Sequence, residues 1–262
     1  MDLPPIRIST LAQLTGGQDW RLSLPHDRGE SLIIWITRGQ GRALLNGTRR
    51  GIGTHNALLI PARTLFAIEL GRQGLGQVAR IPEGTDIRLP ETPRQLRLRD
   101  VTAISEITTL FDAAQREATQ QRPLVQDALD AHVALISVWV RRQITLPEHL
   151  PQKTDAAARL TAQFCDSIVQ SYASPMTMAD HAKTLGVTPT HLSRACKAAT
   201  GRTAAELLTQ RTLYAARIAL AETKVPIQDI ARHLGFGSAA YFTRFMQHHT
   251  GHAPTALRQA SA

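Results

Sequence analysis

The chain has 262 residues, of which 43% are hydrophobic and 19% are charged, and this composition excludes a disordered protein. Its 30 lysines and arginines outnumber its 21 acidic residues, and the net charge of +9 suits a polyanionic partner. Two cysteines exclude a disulfide scaffold and fit a reducing compartment, and without a signal-peptide pattern or a long apolar stretch we expect a cytoplasmic protein with no membrane partner.

Short strands are predicted along the first hundred residues. Residues 31–37 form a β-branched and aromatic run in which Leu32, Ile34 and Ile36 alternate toward one side. The dipeptide Asn46-Gly47 favours a type I′ hairpin turn. Further strands are predicted over residues 42–45, 57–60, 65–70, 77–81 and 86–89. Short strands at this spacing predict a sandwich or a small barrel.

The hydrophobic period becomes helical at Val101, so residues 101–145 are predicted to form a pair of helices. The second helix follows Pro123 and carries a broad apolar stripe. This stripe is wide enough to pack on the barrel and to leave an edge for a partner subunit, although packing on the barrel alone explains the pattern nearly as well. Residues 146–157 contain two prolines and no apolar period, which predicts a linker.

An internal repeat marks residues 158–262. Residues 178–187 align with residues 227–236 at an offset of 49, and after one added residue the match continues at an offset of 50. The identical pairs include Asp180/Asp229, Ala182/Ala231, Leu185/Leu234, Gly186/Gly235, Arg194/Arg244, Thr200/Thr250 and Gly201/Gly251. Residues 156–262 also hold 11 basic and five acidic side chains, so the basic excess is concentrated here.

Each copy of the repeat has the parts of a helix-turn-helix. In the first copy, Thr177 and Asp180 form a capping-box pattern, Gly186 suits the end of a helix, and Thr188 suits the start of the next. Basic and polar side chains then follow on one helix face in both copies. A long helix that begins with the pattern Thr203/Glu206 joins the copies. Two units joined in this way can place two recognition helices about 34 Å apart, in successive major grooves of DNA.

The stretch from residue 226 to residue 258 resembles the signature of the AraC/XylS family of bacterial transcription regulators, and the resemblance extends over residues 160–260. It implies a sequence-specific regulator that binds double-stranded DNA, contacts RNA polymerase as an activator, and forms a homodimer; the residues themselves do not exclude repression. Ala239 and Ala240 stand where the family often has longer polar side chains, so we expect fewer base contacts from the second copy. The DNA-binding residues predicted from the face pattern and the resemblance are Thr190, His191, Ser193, Arg194, Lys197, Ser238, Ala240, Thr243, Arg244 and Gln247.

The N-terminal part resembles, more loosely, the cupin barrel that many such regulators use to bind an effector. The positions of the cupin metal ligands fall on His26, Arg28, Leu32 and Phe66, so three of four ligands are missing and we predict neither a metal nor a cofactor. A small organic effector is instead predicted to contact His26, Arg28, Ile34 and Phe66. Arg28 in the pocket favours an anionic effector, whereas an arginine turned to solvent fits the sequence equally well.

We therefore predict a multidomain α+β protein that is not an enzyme: a cupin-like β-barrel over 1–100, a helical pair over 101–145 that serves in dimerisation, a linker over 146–157, and an all-α tandem helix-turn-helix domain over 158–262. Two alternatives remain, namely a cupin enzyme with a basic tail and a constitutive DNA-binding protein with a structural barrel.

Cys196 is predicted to be a buried core residue, with redox sensing as the alternative because Arg194 and Lys197 are near in sequence. The cluster His248, His249 and His252 lacks partners at metal-ligand spacing.

Overall fold

The computed structural model describes residues 4–71, 73–120, 122–150, 155–174 and 176–260. The strands are β1 Arg7–Thr10, β2 Glu30–Arg38, β3 Gln40–Leu45, β4 Thr48–Gly53, β5 Asn56–Ile60, β6 Phe66–Leu70, β7 Leu75–Pro82 and β8 Arg94–Arg97. The α-helices are α1 Leu11–Thr15, α2 Trp20–Ser23, α3 Val101–Gln120, α4 Val125–Ile144, α5 Ala156–Ser171, α6 Met178–Thr184, α7 Pro189–Thr200, α8 Ala204–Glu222, α9 Ile227–His233, α10 Ala239–Thr250 and α11 Pro254–Gln259. We call residues 4–150 the N-terminal region and residues 155–260 the C-terminal region.

The strands form two antiparallel sheets. Sheet A has the order β1-β7-β2-β5-β8, and sheet B has the order β4-β3-β6. The predicted hairpin joins β3 to β4, because Leu45 pairs with Thr48 and the two residues between them, Asn46 and Gly47, both have positive φ, as a type I′ turn requires. Within the described residues the strands make two sheets and not one closed barrel.

Strand β2 is buried on both faces, so sheet A is a middle layer. Ile33 and Trp35 face the helical pair α3 and α4, and the Trp35 indole N–H donates to the Thr108 hydroxyl of α3. Ile34 and Ile36 point to the other side, into the core between the two sheets. The alternation predicted for this strand therefore places two different apolar layers on its two faces.

The strand predicted over residues 86–89 is wrong. This segment lies between Pro82 and Pro90 and joins neither sheet; the last strand of sheet A is β8 instead. Ile87 and Leu89 pack against the core shared with α3 and α4, and the Ser137 hydroxyl of α4 donates to the carbonyl of Arg88. Packing on helices, rather than pairing with a strand, accounts for the apolar alternation of this segment.

The C-terminal region packs on the outer face of sheet B. Leu44 and Ala67 point outward from that sheet into a core with Phe164, Cys165 and Leu207 of the C-terminal helices. Residues 151–154 of the predicted linker lie outside the described residues, and a short 3₁₀ turn, Pro147–His149, precedes them. In the part of the chain that is described, no helix combines the length and the apolar character needed to cross a membrane.

Candidate nucleic-acid interface

The turn between the two helices of each repeat copy has the same hydrogen bonds. In the first copy, the N–H of Val187 donates to the carbonyl of Ala182 and that of Gly186 to Lys183. In the second copy, the equivalent donors at 235 and 236 reach the carbonyls at 232 and 231. Gly186 and Gly235 have φ of 68° and 78°. Both turns are thus Schellman motifs, and the glycine that the repeat retains supplies the left-handed residue that such a motif needs.

Side-chain caps fix where the helices of the two units begin. The Thr177 hydroxyl accepts from the N–H of Asp180, whose carboxylate accepts from the Thr177 N–H in return. Thr188 caps α7 and Ser238 caps α10, each by accepting from the backbone N–H three residues later. The capping box predicted at Thr203 also forms and begins the connecting helix α8. Local sequence therefore sets the start of each recognition helix, α7 and α10.

One face of each recognition helix is buried and the opposite face is free. Leu192 of α7 and Phe242 of α10 are fully buried in two separate cores. The predicted DNA-binding residues lie on the other faces, where eight are exposed and two are half-buried: Thr190, His191, Arg194, Lys197, Ser238, Ala240, Arg244 and Gln247 in the first group, Ser193 and Thr243 in the second. Each helix therefore presents these side chains, all polar except Ala240, on its solvent-facing side.

The guanidinium groups of Arg194 and Arg244 are available for a partner. Both arginines are exposed, and neither forms an ion pair with a carboxylate in the described parts of the chain. The hydroxyl of Ser238, by contrast, is occupied by its cap contact with the N–H of Tyr241. Because an unpaired guanidinium offers five N–H donors, these two positions have the strongest chemistry for phosphate or base contacts.

Tyr241 was not among the predicted residues, yet it lies on the first turn of α10 and is 56% exposed. Its ring packs obliquely on Phe236, with the ring centroids 5.7 Å apart, so the aromatic body is supported while the rest faces solvent. An aromatic residue three positions after the helix cap Ser238 was the available signal. The structure adds Tyr241 to the candidate contacts of the second copy.

The two cysteines lie inside the core of the first unit. Cys165 and Cys196 are fully buried, and burial raises the pKa of Cys196 to about 11. The thiol is therefore protonated and inert at neutral pH, in agreement with the core interpretation and against redox sensing. Across the described residues, no group of three or more histidine, cysteine or acidic side chains is arranged to hold a metal ion.

Of the residues predicted to contact an effector, His26 lies where the two regions meet. His26 is fully buried between Phe66, at a ring-centroid distance of 4.3 Å, and Tyr214 of α8, stacked at 4.2 Å. Ile34 lies in the core between the sheets. Arg28 has its Nε 3.6 Å from the Glu30 carboxylate, so an acidic neighbour partly compensates its charge.

The imidazole of His26 is neutral. Its Nδ1 lies 2.9 Å from the carbonyl of Leu24, which can only accept, so Nδ1 carries the proton and Nε2 is a buried acceptor without a hydrogen bond. Burial, together with the nearby cations of Arg28 and Arg211, lowers the pKa of His26 from 6.5 to about 3. Protonation would place a third charge among two guanidinium groups in a site without solvent.

Ion pairs and a ring contact also join α8 to the N-terminal region. Arg211 pairs with Asp27, Arg21 pairs with Glu222, and the guanidinium of Arg217 lies over the Trp20 ring at 4.2 Å. Sequence patterns gave no signal for these contacts because the partners are about 200 residues apart. The helix that joins the two repeat copies therefore also contacts the N-terminal region.

Residues 181–260 match a family model described as a helix-turn-helix domain. A comparison with curated protein sequences found no match. Among solved structures, the chain is similar to an apo variant of ToxT from Vibrio cholerae, with 13% identity, a TM-score of 0.44, and coverage of 100% of this chain and 96% of that chain. It is also similar to Vibrio cholerae ToxT bound to (E)-4-(8-methylnaphthalen-1-yl)but-3-enoic acid, with 10% identity, a TM-score of 0.43, and coverage of 99% and 100%.

A third similar structure is the C-terminal domain of AraT, a response regulator from Geobacillus stearothermophilus, with 24% identity, a TM-score of 0.38, and coverage of 42% of this chain and 88% of that chain. The family match begins within α6 and ends just after α11, so it covers the turn and the second helix of both repeat copies. Residues 181–260 of this chain therefore form a helix-turn-helix domain, and they lie within the stretch that resembles the AraC/XylS family of transcription regulators.

Proposed function

We propose that this protein is a sequence-specific transcription regulator that reads double-stranded DNA with α7 and α10. The observation that carries the proposal is the pairing of two units with the same Schellman turn, each presenting a capped helix with exposed polar side chains. Such a helix fits the major groove, and its first turns contact base edges. We assign Arg194 and Arg244 to base or phosphate contacts, and Thr190, Ser193 and Thr243 to neighbouring ones.

The experiment that tests this proposal is selection of bound sequences from a random duplex pool with the full-length protein, followed by footprinting of the selected DNA. Two short enriched blocks about one helical turn apart support two recognition helices in successive major grooves. A pool without an enriched motif, obtained under conditions where the protein binds DNA, contradicts sequence-specific reading and leaves only a non-specific polyanion binder.

We further propose that the cupin-like N-terminal region takes a small organic effector at His26, Arg28, Ile34 and Phe66. The ring of Tyr214 occupies the His26 side of this site, so an effector stacked on His26 must displace it. Because Tyr214 belongs to α8, its displacement changes the contact that holds the helix-turn-helix domain to the N-terminal region. This gives the effector the differential affinity for two arrangements that any regulatory mechanism needs.

The effector proposal is tested by screening small organic acids for a rise in the melting temperature of the full-length protein, because a ligand of the native state must stabilise it. A compound that stabilises the wild type but not Phe66→Ala or His26→Ala supports this site. A compound whose stabilisation is equal in all three proteins binds elsewhere, and a screen without any stabilising compound favours a constitutive DNA-binding protein.

We also propose a homodimer formed by α4. Ala131, Leu135 and Val138 make an exposed stripe along this helix, and Leu135 is 55% exposed. Asp127 lies at the start of the stripe and Arg142 at its end. An antiparallel second copy centred near Leu135 would place Asp127 opposite Arg142 and Ala131 opposite Val138, so the surface is complementary to itself, as a twofold interface requires.

The activating sign of regulation and a contact with RNA polymerase are part of the proposal on the strength of the family resemblance alone. Transcription from a promoter that carries the selected operator, measured with purified polymerase and with or without the protein, tests both. An increase in transcript supports activation, and a decrease contradicts it in favour of repression.

A further inference from the structure

A polar cleft opens between sheet B and the turn that joins α7 to α8. Its volume is about 280 Å³. Strands β3, β4 and β6 supply one wall and the residues Thr200, Gly201 and Arg202 supply the other. The cleft is separate from the His26 site, which lies on the side of α8 facing the loop before β2, and none of its residues belongs to the proposed DNA-reading faces.

The charged groups of the cleft are unbalanced. Arg42, Arg49 and Arg202 line it together with a single carboxylate, that of Glu69. Glu69 lies between two of the arginines, with one oxygen 2.8 Å from Arg202 Nη2 and the other 3.8 Å from Arg42 Nη2. Three cations against one anion leave a local excess of two positive charges at the boundary between the regions.

Arg49 is the guanidinium that this arrangement leaves unneutralised. Within the described residues it forms no ion pair, and its Nη1 lies against Gly201, only 3.2 Å from the point that a β-carbon there would occupy. Gly201 has a φ of +79°, and its N–H donates to the carbonyl of Lys197. The absence of a side chain at Gly201 thus lets the Arg49 guanidinium approach the turn closely, but the turn supplies no anion to pair with it. The N–H of Gly201 is already bonded to the carbonyl of Lys197.

From this geometry we propose that the cleft binds a small dianion, such as a dicarboxylate or a phosphate group, with Arg49 as its main ligand and Arg42 and Arg202 as supporting ligands. Guanidinium groups bind both anions through paired N–H donors. The inference goes beyond the proposed function, because it adds a second ligand site. It also predicts a ligand that contacts both regions at once, since Arg42 and Arg49 belong to sheet B and Arg202 follows the first recognition helix.

The test is isothermal titration calorimetry of the full-length protein at low ionic strength, with succinate as the dicarboxylate probe, inorganic phosphate as the second probe and acetate as a monoanion. We expect saturable binding of at least one dianion. The dianion with the higher affinity identifies whether the cleft prefers a dicarboxylate or a phosphate group. We expect Arg49→Gln to weaken this binding about tenfold or more, because a hydrogen-bonded charge is lost. Absence of saturable binding by both dianions overturns the proposal.

Arg116→Gln is the matched control, because Arg116 is an exposed arginine on α3, on the far side of sheet A, and its loss changes the net charge equally. Arg42→Gln is the second variant if Arg49→Gln does not fold. Equal affinity in the wild type and the cleft variants overturns the proposal, and so does an equal loss in Arg116→Gln, since both indicate non-specific attraction. The assay contains no DNA, so failure of the proposed DNA binding does not affect it.

Discussion

Arg211 of α8 and Asp27 of the N-terminal region form a buried ion pair in which Nε and Nη2 lie 2.8 and 2.7 Å from the same carboxylate oxygen. The Arg211 side chain is only 6% exposed, and its guanidinium carbon lies 3.6 Å from the centroid of the Tyr172 ring. One arginine therefore connects the helix between the repeat copies with the N-terminal region and with the end of α5. This contact fixes the orientation of the two regions, because separating them would leave the buried charge of Arg211 without the Asp27 carboxylate, at a large cost in free energy.

We expect Asp27→Asn to destabilise the full-length protein by about 3 kcal/mol, because it leaves the Arg211 charge buried without a counterion. The double variant Asp27→Asn/Arg211→Met removes both charges and should lose less stability than Asp27→Asn alone. Denaturant unfolding followed by circular dichroism measures both effects.

Glu83→Gln is the control for this prediction. Its partner Arg63 is 2.9 Å away, but the two side chains are 72% and 49% exposed, so the loss should stay within about 1 kcal/mol. If Asp27→Asn is as mild as Glu83→Gln, or if the double variant is the less stable of the two, the Arg211–Asp27 pair does not hold the regions together.

Substitution of the recognition arginines should separate specific from non-specific binding. We expect Arg194→Ala and Arg244→Ala each to weaken binding to a selected operator by about 1–3 kcal/mol, with a smaller loss on random duplex of equal length. Fluorescence anisotropy at constant salt measures both affinities, and Arg116→Ala is the charge-matched control. Equal losses on both duplexes would mean that these arginines contact phosphates only.

The salt dependence of binding should report the basic surface of the C-terminal region. We expect the logarithm of the association constant on random duplex to fall linearly with the logarithm of salt concentration, since bound phosphates release counterions. Lys197→Gln should make the slope shallower by about one unit if this exposed lysine contacts a phosphate. A flat salt dependence of the wild type contradicts the assignment of DNA binding to this region.

Features governed by neighbouring residues were predictable from the sequence. The Asn46-Gly47 turn, the capping boxes at Thr177 and Thr203, and the glycine turns of the repeat all depend on contacts within a few residues. The segment 86–89 shows the limit of such reasoning, because its apolar alternation is satisfied by helices rather than by a neighbouring strand.

The contacts between the regions could not be predicted in this way. The sequence places His26 at a position of a barrel motif, but no local pattern indicates that Tyr214, 188 residues away, stacks on it. The same holds for the cleft, since Arg49 and Gly201 meet only because sheet B packs on the C-terminal helices. Tertiary packing brings such residues together, and no local pattern records it.

The exposed stripe of α4 predicts the outcome of a charge substitution. Leu135→Glu would place a carboxylate at the centre of the proposed interface in both copies, near its own symmetry mate, so we expect the dimer to dissociate at least tenfold more readily. Sedimentation velocity over a range of concentrations measures this. Thr109→Glu, on the exposed face of α3, should leave the association unchanged; a dimer that tolerates Leu135→Glu must use another surface.

The neutral His26 makes the stability of the protein depend on pH in a defined direction. Its pKa is about 3 in the folded protein and 6.5 in an unfolded chain, so between these values the unfolded state binds more protons. The contribution of the neutral His26 to the free energy of unfolding is complete above pH 6.5 and is lost progressively as the pH falls toward 3. The loss at pH 5 relative to pH 8 amounts to about 2 kcal/mol.

Because burial also lowers the pKa of His149, His181 and His249, the wild type must be compared with His26→Asn in parallel denaturant titrations. The difference in unfolding free energy between the two proteins should shrink by about 2 kcal/mol from pH 8 to pH 5. Parallel curves over that range would mean that His26 is already solvated, and that the Tyr214 contact does not enclose it.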